Sequence, residues 1–260
     1  TQDALAEFTA GHIDIVQSVL ESDWNQLPSI LRQDDRMVEE VVRVFRYVAM
    51  NSRADVFTDS NLRLAILAAI DGDAALASAR GEEGVTNYPY ISEYWRNLKV
   101  GSENKNPAHL LEAKQYLQAA GYGEGGKTLP TLTLYCGSTQ EDIAAANSIA
   151  GNLRNLGFGI QIQSLSYRDL RRAIRSGEAA FYTSQFADKG GGLDVFFSEV
   201  VDANWQGVIG EGPWTNLLNQ AYAASEDNKI DIFKQVEEQL ANYGILRSLY
   251  ANKTSILVNY

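Results

Sequence analysis

The sequence predicts an α/β fold: a mixed sheet with flanking helices. Three observations carry this. From Leu132 onward the pattern alternates strand, helix, strand, helix, strand, with short turns between, which builds a layered sheet that is parallel in part. Upstream, two amphipathic helices are written with start and stop signals between Phe57 and Tyr122. Finally, 45% hydrophobic and 21% charged residues over 260 positions are ordinary for a folded globular chain, which at this length buries roughly three quarters of its unfolded surface.

The elements follow in order. Ala4–Ala10 reads as a short helix with Gly11 as its C-cap, and Ile13–Val16 alternates like a strand. Ser22-Asp23 is placed to cap a helix from Asn25 to about Arg32. Met37–Met50 is rich in Val, Phe and Tyr and reads as a strand. Asp59 or Ser60 caps a helix through Ala69, with Leu62, Ala65, Ile66, Ala69 and Ile70 on its apolar face. Asp71-Gly72 ends it, and Asp73 caps a further turn. The stretch 81–101 reads as loop and carries Tyr88, Tyr90, Tyr94 and Trp95. A helix from about Ala108 to Ala119 stops at Gly121. Then come strand Leu132–Tyr135, helix Glu141–Leu156, strand Gly159–Gln163, helix Tyr167–Ser176 and strand Ala180–Ser184. Helices over Thr215–Ala224 and Asn228–Tyr243 and a strand Ser255–Val258 close the chain.

Charge and composition exclude several functions. The net charge is −11, with 33 acidic against 22 basic residues. Nucleic acid and anionic membrane surfaces need a basic face, so neither is an expected partner. No run of about 18 apolar residues is present to span a bilayer. The single cysteine, Cys136, lies in an apolar run and reads as a small buried hydrophobe. Two histidines and one cysteine, far apart, make no metal-ligand spacing, and no cofactor motif is present. Gly190-Gly191-Gly192 lacks the Lys-Ser/Thr of a phosphate-binding loop and reads as a turn. No Gly-x-Ser-x-Gly elbow occurs.

Two features remain as candidate ligand contacts. Asp188 follows the strand Ala180–Ser184, where open α/β sheets place ligand contacts. It either pairs with a ligand ammonium or forms the turn before the glycines. The aromatics Trp205, Trp214, Tyr88, Tyr90, Tyr94 and Trp95 lie in irregular segments and either line a cleft or pack beneath loops.

Four segments, in order, carry a family resemblance. They are Ala10-Gly11-His12-Ile13-Asp14-Ile15; Tyr47-Val48-Ala49-Met50-Asn51; Arg63…Ala65-Ile66…Ala69-Ile70-Asp71; and Asn106-Pro107…Ala113-Lys114…Leu117…Ala120-Gly121-Tyr122. Together the chain resembles the extracytoplasmic solute-binding proteins of the oligopeptide/dipeptide (peptide/nickel-type) ABC transporter family, in its C-terminal portion. The resemblance implies the second lobe of a type II periplasmic-binding-protein-like fold. Residues 1–53 are then a remnant of the first lobe and its hinge strands, residues 54–245 the second ligand-binding lobe, and residues 246–260 a return strand. It implies an importer component that captures a peptide or related small solute and hands it to a membrane permease, outside the cytoplasm, in the periplasm or as a cell-surface lipoprotein. The chain opens on Thr1 without an initiator Met, which suggests that its targeting segment has been cut away, and the resemblance implies that most of the first lobe lies ahead of Thr1.

The resemblance also implies site residues. Asp188 matches the Asp that holds a peptide's α-amino group, and Gln185, Phe186, Tyr182 and Trp205 are expected to line the cleft wall. The sequence departs from the family pattern at Gly72, where a basic residue is usual, and near Gln185, where Trp is usual and Pro is missing. A carboxylate-based hydrolase and a receptor that signals without import are the alternatives.

Overall fold

The computed structural model describes residues 2–259, apart from 18, 20–23, 26, 33–35, 82, 87–104, 124, 191 and 203–211. The proposed cap Ser22-Asp23 and the aromatics Tyr88, Tyr90, Tyr94, Trp95 and Trp205 lie outside the described residues.

One mixed sheet organises the molecule. Its strands are β1 (Ile15–Gln17), β2 (Met37–Met50), β3 (Gly84–Thr86), β4 (Thr131–Gly137), β5 (Gly159–Leu165), β6 (Phe181–Ala187) and β7 (Leu246–Val258). Their order is β1-β7-β2-β6-β4-β5, with β3 also on β7. β5 and β6 run parallel to β4, while β2 is antiparallel to both β6 and β7. The parallel part follows from the right-handed crossovers that its helices supply.

Those helices are α1 (Gln2–Thr9), α2 (Ser60–Ala69), α3 (Gly72–Arg80), α4 (Leu110–Ala119), α5 (Gln140–Asn155), α6 (Tyr167–Ser176), α7 (Gly192–Phe196, continued by a π-helix Phe197–Asp202), α8 (Pro213–Ala223) and α9 (Glu226–Asn242). On one face of the sheet α2 to α5 cover Val48, Met50, Leu134, Cys136 and Phe181. On the other, α6 to α9 cover Phe45, Tyr47, Tyr182 and Phe186. A third, small core joins α1 to β1 and the end of β7 through Leu5, Phe8, Val16, Val19, Leu27 and Leu257.

Most expected elements stand within a few residues of their predicted bounds, and the exceptions have physical causes. The described part of the expected helix to Arg32 holds a single 3-10 turn, Ser29–Leu31, preceded by Pro28. β7 begins at Leu246, well before the expected Ser255. Its first six residues are buried on both faces, so they show no alternation to read. β6 likewise continues past Ser184 to Ala187, placing Gln185 and Phe186 on the strand itself. The expected cap Asp73 is instead in the first turn of α3; the carboxylate of Asp71 caps the helix, accepting from the Ala74 N–H at 2.8 Å.

Beyond their shared core with the sheet, the two signature helices are tied to β7 by the hydrogen bonds of Asn106 and Arg247. Asn106, wholly buried, donates its Nδ2 to the carbonyls of Ser248 (3.0 Å) and Leu249 (2.9 Å) in β7. Its carbonyl accepts from the Gly72 N–H at 2.6 Å, and its own N–H donates to Asp73 at 3.1 Å. Arg247 donates to the Asn106 side chain and to the carbonyls of Leu67 and Ile70, satisfying the open C-terminal end of α2. A Cβ at Gly72 would fall on the Asn106 side chain. That accounts for glycine where the resembled family carries a basic residue.

Candidate ligand-binding groove

α6 leaves β5 through a single residue, Ser166, whose hydroxyl accepts from the Asp169 N–H and fixes the first turn. The helix ends on Gly177 in the left-handed region, φ 80°. Leu170, Ala173 and Ile174 bury one side against the sheet. That orientation turns Tyr167, Arg171 and Arg175 toward the carboxyl end of β6. The Arg171 guanidinium lies 5.7 Å from the centre of the Tyr167 ring.

Beyond β6 the chain must turn sharply. Asp188 makes the turn: one carboxylate oxygen accepts from the N–H groups of Gly190 and Gly192, both at 2.9 Å. Both glycines have positive φ, 104° and 61°, which a side chain would resist.

Between α6, the end of β6 and the α7 region lies a groove of about 620 Å³, lined by Tyr167, Arg171, Gln185, Phe186, Lys189 and Glu199 among others. A narrower cavity of about 50 Å³ shares several of these residues and adds Tyr47, Arg175 and Ser184. The larger volume is in the range of small-molecule sites. Its position, outside the carboxyl ends of β5 and β6, is where open α/β sheets hold ligands. The floor is firm: Phe186 meets Phe45 and Phe196 at 5.6 and 5.3 Å between ring centres. Burial pushes the Tyr47 phenol well above its ordinary value, and its hydrogen bond with Ser184 only partly offsets this.

Of the five expected site residues, Gln185 and Phe186 line the groove. Tyr182 does not. It is fully buried, its ring edge-on to Tyr47 at 6.3 Å, because it shares the face of Phe186 but sits four residues deeper along β6, in the core beneath α6 to α9. Asp188 sits at the rim with one oxygen committed to the turn. Trp205 lies outside the described residues. Sequence reasoning passed over Arg171, Arg175, Tyr167 and Lys189.

Behind the groove lies a buried ionic network. Arg46, whose Cα is paired with that of Gln185, is 1% exposed. It donates to the Tyr250 hydroxyl and to Asp142, both at 2.8 Å, and reaches Glu141 at 3.4 Å. Arg80 holds Glu141 from the other side at 2.9 Å. Burial works to lower the Arg46 pKa, but Tyr250, Asp142 and Glu141 together keep it above its ordinary value. Asp142 also completes the capping box of α5 with Thr139. Nearby Cys136 is buried, and its thiol is pushed up to about 11, chiefly by burial and then by Asp142. It is a thiol at neutral pH, as its apolar run suggests, and no activated nucleophile. Among the described residues no cluster of His, Cys, Asp and Glu forms a metal site, and no helix is long and apolar enough to cross a membrane.

The mixed sheet and its flanking helices match those of binding proteins. Residues 1–208 fit the model of the bacterial extracellular solute-binding proteins, family 5 (middle region), and the chain belongs to that family. Its architecture is the periplasmic-binding-protein-like fold of solved family members. The unliganded open form of the periplasmic murein tripeptide-binding protein MppA superposes with a TM-score of 0.80 at 17% identity, covering 99% of this chain and 51% of MppA. NikA from Brucella suis, in complex with Fe(III)-EDTA, gives 0.70 at 16% identity, covering 99% of this chain and 55% of NikA. A dipeptide-binding protein from Pseudoalteromonas sp. SM9913, in complex with Met-Leu, gives 0.68 at 18% identity, covering 99% and 52%. The chain thus spans about half the length of these proteins. No curated protein matches it.

Proposed function

We propose that the chain supplies one wall of the solute cleft in the substrate-binding component of an ABC importer. The observation that carries this reading is the groove of about 620 Å³ at the carboxyl ends of β5 and β6, in a chain of this family. No bond is broken. Binding energy closes a second lobe over the groove, and the closed form is what a membrane permease would recognise. Residues 54–245 form the lobe that bears the groove, residues 1–53 belong to the first lobe and hinge, and residues 246–260 are the return strand. The long pair β2–β7, which runs from the small core at α1–β1 into the two large ones, supports that division. The protein works outside the cytoplasm, on a peptide or a related small solute. Gln185 and Phe186 touch the solute, Tyr182 backs the wall, and Asp188 holds the turn at its rim.

Mass spectrometry of solute carried through purification of the native protein tests this. A single bound small molecule is expected, and Gln185→Trp, which adds bulk at the groove lining, should lower its occupancy at least tenfold. Occupancy unaffected by Gln185→Trp would remove the groove from the binding site. Sustained hydrolysis of a glycan or peptide, lost on replacing one carboxylate, would overturn the binding-protein reading.

A further inference from the structure

Helix α6 carries Arg168, Arg171, Arg172 and Arg175 within ten residues. Their spacing of three, four and seven puts them along one side of the helix, opposite buried Leu170, Ala173 and Ile174. Like charges four apart weaken a helix, so the stripe does not serve the stability of α6. Arg172 is neutralised in part by Asp169, at 3.1 Å. Arg171 and Arg175 have no carboxylate partner among the described residues, and both line the groove cavities. Lys189, on the turn after β6, lines the groove from the other side and is also without a carboxylate partner among the described residues. Against these three cations the lining holds one carboxylate among the described residues, Glu199. The carboxylate of Asp188 does not line either cavity, and one of its oxygens serves the turn. In a chain of net charge −11 the groove is therefore a local positive site. A concave, partly desolvated wall focuses such a field on whatever enters it.

We propose that the solute presents an anionic group, a carboxylate or a phosphate, to Arg171, Arg175 and Lys189. This rests on the groove being the solute site, and it replaces an ammonium held by Asp188 as the polar contact made by this wall. The two guanidiniums offer planar, forked donors suited to either oxyanion. Tyr167, beside Arg171, leaves an aromatic edge for the rest of the solute.

Calorimetric titration of the solute-free native protein tests this with three probes: citrate, inorganic phosphate and spermidine. At least one anion is expected to bind, spermidine is not, and the stronger anion distinguishes carboxylate from phosphate chemistry. The double substitution Arg171→Gln/Arg175→Gln should weaken that binding at least tenfold. Arg168→Gln, on the same stripe but outside the groove lining, should leave it within twofold. Thermal midpoints of both variants should match the parent, since the three side chains are on the surface of α6. Binding of spermidine but of neither anion, or anion binding that survives the double substitution, overturns the proposal. The two readings separate cleanly. A co-purifying solute that is lost with Gln185→Trp but retained by the double substitution keeps the groove as the site and removes the anionic contact. A solute retained by Gln185→Trp removes the groove itself.

Discussion

The inner and outer halves of the β2–β7 ribbon are built from the same two strands and live in different surroundings. The inner half pairs Phe45–Ala49 with Leu246–Ala251, between two large cores, and carries the Arg46 network. The outer half pairs Met37–Val41 with Lys253–Leu257, and its companions are β1, α1 and a core of six buried residues. Between them the register shifts, from Val41 to Phe45, and it shifts again within the inner half, from Arg46 to Tyr47. Such irregularities bend a strand and raise its twist. One continuous pair of strands thus joins a rigid region to a lightly supported one, and strand propensity alone does not set the rigidity of either.

The sharpest way to break this contrast is Arg46→Leu. It strands Asp142, and in part Glu141, in a buried site, and removing one member of such a network costs about 3–5 kcal/mol. Urea denaturation should show that loss as a lower midpoint. A change under about 1 kcal/mol would mean that the network does not hold the inner half.

Phe8→Ala tests the outer half. Phe8 is 1% exposed in the small core, and large-to-small changes of this kind cost up to about 3–5 kcal/mol where they act globally. Here the effect should be local. Amide exchange should accelerate in α1, β1 and Lys253–Leu257 and stay unchanged in α2 and α5. Uniform acceleration would show that the two halves unfold as one unit.

A smaller effect is expected at high pH, at Tyr250 in the inner half and at Cys136 in the core beside it. The folded Cys136 thiol is raised from 9.0 to about 11 and the Tyr250 phenol from 10.0 to about 12, both chiefly by burial. Each favours the protonated form in the folded state. Their contribution is therefore complete below pH 9 and lost as the pH climbs through 11 and 12. Thermal midpoints followed from pH 8 to 12 should fall, and Cys136→Ala should make the early part of that fall shallower. A flat profile would contradict the burial of both groups.

How much of this was legible in the sequence depends on whether the signal was local. α6 was readable to the residue, because Ser166 and Gly177 bracket it and Leu170, Ala173 and Ile174 keep helical spacing. β7 was not, because a strand covered on both faces loses the period of two, leaving only its last apolar run to find. The end of β6 was placed at Ser184 for another reason: its last three residues do alternate, exposed, buried, exposed, but they run straight into the Asp188 turn signal and read as part of it. Part of the groove was within reach: Gln185 and Phe186 were among the expected wall residues and line it, and the arginine spacing that marks Arg171 and Arg175 stood in plain view on α6. The Arg46–Asp142 pair was out of reach, since nothing near either residue announces a partner 96 positions away.

The contact between Gly72 and Asn106 has a consequence for descent. Gly72 directly follows the third of the family-like segments and Asn106 opens the fourth, and each occupies the room the other leaves. A side chain acquired at position 72 would displace the amide that anchors the segment before α4 to β7. The two positions are therefore not free to drift one at a time. A chain with a side chain at the first position has to place the Asn106 amide elsewhere, so the two segments are constrained together and not separately.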